Sequence, residues 1–246
     1  ERIDAFTVGN DRELDHELAP YDIMGTMAHI TMLESVGLLS KDDLDELLPA
    51  LKELYSSACK GELYVEEDVE DIHSQIELML TRRLGDVGKK VHTGRSRNDQ
   101  VLVDLKLYAR AEIENTVHKV ESLFNTLQEA SERYKDVLIP GYTHLQVAMP
   151  SSFGLWFGAY AESLCDDLSI MKAAWDVVNL NPLGSAAGYG SSAPLNRTLT
   201  TVLLGFEDLD YNSVYAQMTR GKMERAVAFA YSSVAETVGR LAMDGC

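Results

Sequence analysis

From Asn98 to Arg133 the chain reads NDQVLVDLKLYARAEIENTVHKVESLFNTLQEASER, some 36 residues without a glycine or a proline. Val101, Leu102, Leu105, Tyr108, Ile113, Val117, Val120 and Phe124 keep a helical period along it. That spacing predicts one unbroken helix with an apolar face. At 1.5 Å per residue it spans roughly 54 Å. Helices of ordinary globular domains are about three turns long, so this one implies an extended bundle or the core of an oligomer.

Outward from this helix the pattern stays helical. On its N-terminal side, Ser40-Lys41-Asp42-Asp43 fits a capping box, and Leu44, Leu47, Leu48, Leu51 and Leu54 form one apolar face after it. Pro49 falls inside that run and is expected to kink or divide it, with Gly61 as the stop. A second face, Val69, Ile72, Ile76, Met79 and Leu80, ends near Gly85. The polar, glycine-bearing stretch Gly85–Asn98 reads as a loop and a domain boundary. On the C-terminal side, Pro140-Gly141 breaks the chain and Pro150 begins a helical stretch to about Val178. Asn181–Asn196 reads as loop, and a last helical run goes from about Asn212 to the end. This run lacks a capping signal, so the chain reads as cut in mid-helix. No β-hairpin, repeat or low-complexity segment is expected. The reading is all-α, with a small helical domain over 1–96 and a long-helix bundle domain over 97–246.

Composition narrows the function classes. The 246 residues hold 22 Lys and Arg against 39 Asp and Glu, a net charge of −17. Such a chain repels phosphate backbones, so general nucleic-acid binding is disfavoured, though a local basic pocket for a small anion is not. The longest apolar stretch, Phe153 to Ala161, is too short to cross a bilayer and contains two glycines. The opening Glu1-Arg2-Ile3-Asp4 is polar, unlike a secretory signal, and it lacks Met, so residues are expected upstream. Cys59, Cys165 and Cys246 form no metal-ligand spacing with the six histidines and read as plain thiols of a reducing, cytoplasmic compartment.

Two loops stand out chemically. His92-Thr93-Gly94-Arg95-Ser96-Arg97-Asn98-Asp99-Gln100 offers two guanidinium groups, two hydroxyls and an amide beside a helix start. These groups suit a carboxylate or phosphate; the plainer reading is a polar loop with Ser96 or Asn98 as N-cap. Pro140-Gly141-Tyr142-Thr143-His144-Leu145-Gln146 places a histidine, which can give or take a proton near neutral pH, beside Thr143 and Gln146, which can hydrogen-bond a ligand carboxylate. Its plainer reading is a surface histidine in a turn.

Together, His-Thr-Gly-Arg-Ser-Arg-Asn-Asp-Gln and Gly-Tyr-Thr-His-Leu-Gln resemble the first and second signature regions of argininosuccinate lyase, of the fumarase/aspartase superfamily. Tyr21-Asp22-Ile23-Met24-Gly25-Thr26, Glu70-Asp71-Ile72-His73 and Asn181-Pro182-Leu183-Gly184-Ser185 support the resemblance. It runs through nearly the whole chain but covers only the N-terminal half or so of a typical member. The resemblance implies an all-α homotetramer whose active sites gather signature regions from three subunits. It also implies a reaction without metal or organic cofactor that splits argininosuccinate into arginine and fumarate, in arginine biosynthesis. A base takes the proton beside a carboxylate, fixed donors stabilise the carbanion, and an acid protonates the departing nitrogen. By the same resemblance Ser96, Arg97 and Asn98 form the carboxylate clamp, and Thr143 and Gln146 bind substrate. His144 protonates the leaving nitrogen. Asp71 and His73 sit where members affect substrate binding, with a structural role as the other reading.

The sequence also departs from the family. The third signature, Gly-Ser-Ser-x-Met-Pro-x-Lys-x-Asn, which supplies the serine base, is missing. Gly190-Ser191-Ser192-Ala193-Pro194 lacks its Met and Lys and reads as a decoy. Met149 stands where many members have Gln, and Phe6-Thr7-Val8-Gly9-Asn10 lacks the serine that members use to touch substrate. The chain is thus expected to be truncated before the catalytic-serine loop and inactive alone. The competing readings are another superfamily lyase, such as adenylosuccinate lyase, and a non-catalytic, crystallin-like structural protein.

Overall fold

A computed structural model describes Phe6 and residues 9–246. The opening Glu1-Arg2-Ile3-Asp4, together with Thr7 and Val8 of the stretch without a serine, lies outside the described residues. The fold is all-α, with two small pairs of strands. In order come α1 (Asp11–Leu14), a 3-10 turn (Asp15–Leu18), α2 (Ala19–Ser35), α3 (Lys41–Cys59), α4 (Ile72–Leu84), α5 (Asp86–Lys89) and a 3-10 turn (Lys90–His92). The long helix α6 (Arg97–Arg133) follows, then β1 (Leu138–Thr143), β2 (Gln146–Ser152) and α7 (Phe153–Val178). The chain closes with β3 (Leu180–Asn181), α8 (Arg197–Leu203), β4 (Asp208–Leu209), α9 (Ser213–Met218) and α10 (Lys222–Asp244).

These elements cluster into two compact units, one of residues 1–108 and 179–220, the other of 109–178 and 221–246. The first unit is built on α2, α3 and α4, whose apolar faces meet in a core of Ile23, Ile30, Leu33, Leu47, Leu51, Ile72, Ile76 and Leu80. The Ser40 hydroxyl oxygen accepts the Asp43 N–H at 3.1 Å, as the capping box requires. Helix α3 runs through Pro49 undivided. Pro49 lies on its exposed face, where water can serve the carbonyl that proline leaves without a donor. The stretch after Gly85 is not an open loop. It holds α5 and a 3-10 turn, with Val91 buried in the core and Lys90 paired with Asp43 at 2.6 Å. Elements this short carry no hydrophobic period, so their order comes from packing.

A smaller core of Val103, Leu107, Leu183 and Phe206 sits beside the parallel pair β3–β4. The buried Lys106 ammonium joins these pieces, donating to the Leu180 carbonyl at 2.8 Å and to Asp210 at 2.6 Å.

In the second unit α7 and α10 lie against one another. Ser233 donates to Asp167 at 2.6 Å, and the Ser163 and Thr237 hydroxyls meet at 3.2 Å. Where a break and an early helix start were expected, β1 and β2 form an antiparallel hairpin from Leu138↔Ser152 to Thr143↔Gln146. Helix α7 therefore begins at Phe153, not at Pro150. No Asn-Gly or Asp-Gly marks the turn, and two prolines argue against strands, so the local signals conceal it. Pro140 stands opposite Pro150, a pairing open to two residues without an N–H only where the ladder calls for none. The last run is also interrupted, because Gly221 takes a left-handed φ of +84° between α9 and α10.

Candidate active site

The first conspicuous loop runs into the start of α6. Ser96 is the N-cap: its hydroxyl oxygen accepts the Asn98 N–H at 3.2 Å, and the Asp99 carboxylate accepts the Ser96 N–H at 2.9 Å. This is a capping box closed by Asp in place of Glu. The other Asp99 oxygen accepts the N–H groups of Gly184 at 2.8 Å and Ala186 at 3.0 Å. One fully buried carboxylate thus joins the Ser96–Asn98 segment to the Pro182–Ser185 string. Gly184 has φ +91°, and an added Cβ would stand 2.7 Å from Arg197 Cγ. The Arg197 guanidinium donates to the carbonyls of Leu183, Asn181 and Asp210 and holds the string from its other side. Gln217 on α9 donates to the Ser185 hydroxyl and the Ala186 carbonyl, both at 3.1 Å.

Asp71 and Arg97 face each other in the same unit. Asp71 caps α4, accepting the Ser74 N–H at 2.7 Å. Arg97 donates to Gln100 at 2.8 Å and Ser74 at 3.3 Å, and its guanidinium stands 3.8 Å from Asp71 and 4.0 Å from Glu77. Asn98 is exposed, and its amide oxygen accepts from Arg220 at 3.3 Å.

Behind this surface lies a buried polar network. His73 Nδ1 is 3.1 Å from Asp22 and 3.4 Å from Asp104, and Gln100 donates to Asp22 at 2.5 Å. Burial works to raise the Asp22 carboxyl, but the bond from His73, the charges of His73 and Arg95 and the bond from Gln100 bring it down to about 2. Asp104 goes the other way: burial, then the Asp22 charge, push it well above the carboxylate range. Asp22 Oδ2 and both Asp104 oxygens accept no hydrogen bond from the described residues. Asp22, His73 and Asp104 bring three ligand atoms within 4.8 Å, the geometry of a metal site. The buried Arg95 guanidinium acts on Asp22 and Asp104 by its charge and donates to Thr26 at 3.0 Å. His29 donates from Nε2 to the Thr93 carbonyl at 2.8 Å, and burial, followed by the Arg95 charge, lowers its pKa to about 3. Burial also lowers His92, aided by Arg95 and Arg97.

Thr143, His144 and Gln146 belong to the other unit, at the tip of the β1–β2 hairpin, and all three are exposed. His144 and Leu145 form the two-residue turn with φ of 51° and 60°. Such angles cost a side chain about 1–2 kcal/mol each. Leu145 is 99% exposed, so no burial of its side chain within this unit offsets that cost. Strain of this kind gathers at functional sites.

Ser96, Arg97, Asn98, Asp71 and His73 are therefore brought together in the first unit, and Thr143, His144 and Gln146 in the second. Gly190–Pro194 lies in an irregular loop of the first unit. A groove of about 600 Å³ lined by Leu54, Leu63, Tyr64 and Met79 contains none of the Ser96–Asn98 or Thr143–Gln146 residues. Of the two guanidinium groups the sequence offered to an anion, Arg95 is instead buried and turned to Thr26. Sequence reasoning gave no roles to Asp22, Asp99, Asp104 or Arg220, and of these only Asp99 had a local signal, its spacing three residues after Ser96.

The family model described as Lyase matches residues 5–244. The chain is 66% identical over 244 residues to an argininosuccinate lyase of Parabacteroides distasonis, covering 99% of this chain and 55% of that protein. The chain thus spans about half the length of the curated relatives it matches. An EDDS lyase variant with bound fumarate superposes with a TM-score of 0.83 at 28% identity, over 94% of this chain and 45% of that one. A fumarate lyase:delta crystallin from Brucella melitensis bound to cobalt shares the fold, with a TM-score of 0.80 at 16% identity, over 94% of this chain and 55% of that one.

Proposed function

The chain belongs to the lyase family, and from that premise we propose that it serves the cleavage of argininosuccinate into arginine and fumarate. The observation that carries this is the 66% identity, across 99% of the chain, to a protein named argininosuccinate lyase. The geometry is compatible with it. Elimination beside a carboxylate needs donors fixed before the charge develops. Around the start of α6, the Ser96 hydroxyl, the Asn98 amide and the Arg97 guanidinium are such donors, braced by Asp99 and Asp71. They bind the carboxylates of the succinyl half. Thr143 and Gln146 add hydrogen bonds, and Asp71 and His73 support substrate binding.

His144, on its strained and exposed turn, protonates the departing guanidino nitrogen. The proton-abstracting serine is not assigned to any residue of this sequence, so these 246 residues alone are expected to release no fumarate. The working enzyme is a homotetramer that shares its sites between subunits, as the exposed hairpin suits, and acts in arginine biosynthesis in the cytoplasm without cofactor.

The test gives argininosuccinate to the protein that carries this chain and follows fumarate by its ultraviolet absorbance. Turnover supports the assignment. No fumarate, with adenylosuccinate cleaved instead, overturns it.

A further inference from the structure

Asp22 and Asp104 are fully buried acids without adequate partners. Asp22 Oδ2 and both oxygens of Asp104 accept no hydrogen bond. Among the described residues no lysine or arginine lies within ion-pair distance of either carboxylate. The basic group at that distance is His73, whose Nδ1 stands 3.1 Å from Asp22 and 3.4 Å from Asp104. Arg95 acts on both by charge from farther away, and its donor goes to Thr26. Buried charges are paired or coordinate metals, and buried oxygens without donors call for an ion or a water.

The arrangement suits an ion. Asp22 lies on α2, His73 on α4 and Asp104 on α6, all within the first unit. One oxygen from each acid and one His73 nitrogen lie within 4.8 Å of one another. Ligands about 2.1 Å from a metal stand about 3.0–3.4 Å apart at neighbouring corners of an octahedron or tetrahedron, and both nitrogen–oxygen distances fit that spacing. Gln100 donates to Asp22 at 2.5 Å and orients it from behind, as the outer partners of metal ligands do. Two carboxylates with an imidazole suit a divalent transition cation, of the manganese or zinc kind, better than magnesium or calcium with their all-oxygen sets.

We propose that Asp22, His73 and Asp104 bind one divalent transition cation as a structural clip between α2, α4 and α6. The cation offsets two buried like charges and gives the unpartnered oxygens a partner. It takes no part in the elimination, and the inference stands independently of the proposed function.

Mn²⁺ is the probe. The intact protein is stripped with a chelator at raised temperature, since a buried ion leaves only as the helices open, and is titrated with MnCl₂. Electron paramagnetic resonance counts bound Mn²⁺, its pulsed form detects a coupled histidine nitrogen, and thermal unfolding at 222 nm reports stability. The expected result is one Mn²⁺ per chain with a nitrogen coupling that His73→Gln abolishes. With Mn²⁺ at about a hundredfold its Kd, the melting temperature should rise by about 5–10 °C over the stripped protein. Asp104→Asn should bind Mn²⁺ at least about tenfold more weakly. It should melt no lower than the stripped wild type, because it removes one of two buried like charges. A stripped wild type that takes up no Mn²⁺ overturns the proposal. So does bound Mn²⁺ without a nitrogen coupling, or equal affinity in Asp104→Asn, either of which places the ion on exposed acids. If Asp104→Asn does not fold, the nitrogen coupling in wild type decides by itself.

Discussion

Replacing Asp99 by Ala should separate the two strings that make the first half of the site. The carboxylate accepts three backbone N–H groups, from Ser96 at 2.9 Å, Gly184 at 2.8 Å and Ala186 at 3.0 Å. Alanine leaves all three without an acceptor. One buried donor left unpaired costs about 1–3 kcal/mol. Ser96, Gly184 and Ala186 are only partly buried, so water can reach them and the low end applies, giving about 3–5 kcal/mol in all. At about 2–4 °C per kcal/mol for a chain of this size, the melting temperature should fall by roughly 10 °C. Asp99→Asn keeps one acceptor oxygen but points an NH₂ group at donors, so it should lose about half as much. Thermal unfolding followed at 222 nm measures both, and substrate KM reports whether the clamp has moved. A melting temperature within about 2 °C of wild type in Asp99→Ala, with KM unchanged, would refute the idea that this carboxylate latches the loops.

Three further outcomes are expected. His29 has a folded pKa of about 3 against 6.5 for the free side chain, so its contribution is complete above pH 6.5 and is lost as pH falls toward 3. Between pH 6.5 and 4.5 that loss is about 2 kcal/mol; urea unfolding at both pH values should show it in wild type but not in His29→Gln, and parallel behaviour would contradict it. His144→Asn should lower turnover by about 10²–10⁴-fold with assembly intact, since Asn tolerates the left-handed turn. Steady-state rates and light scattering check this, and a fully active variant would remove His144 from the mechanism. Leu145→Gly relieves a positive φ at an exposed position and should slow amide exchange along the hairpin roughly two- to fivefold. Faster exchange would mean that Leu145 stabilises the turn by a contact of its own.

Much of the fold was legible because its signals are local. The gapless run from Asn98 to Arg133 became one helix of 37 residues, beginning at Arg97. Ser40 caps α3 and Asp71 caps α4, and the Leu44–Leu54 and Ile72–Leu80 faces meet in one core. Periodicity and caps act within a few residues, so a sequence displays them directly. Ser96, Arg97, Asn98, Thr143 and His144 became candidates for another reason: they stand in strings long enough to carry a family resemblance.

Only the tertiary structure could decide the rest. The hairpin forms although prolines and an unfavourable His-Leu turn oppose it locally, because strand pairing is a contact between separate segments. Asp99 looks like any polar residue of a helix start until Gly184 and Ala186, some 85 residues on, turn their N–H groups toward it. Asp22, His73 and Asp104 are three ordinary titratable residues until folding buries them together, lowering the Asp22 carboxyl and raising that of Asp104. Arg220 meets Asn98, 122 positions earlier, only once the chain is folded. Periodicity and motif determine what each segment becomes. Burial and long-range hydrogen bonding determine which charges share a space, and that sharing sets the chemistry of the site.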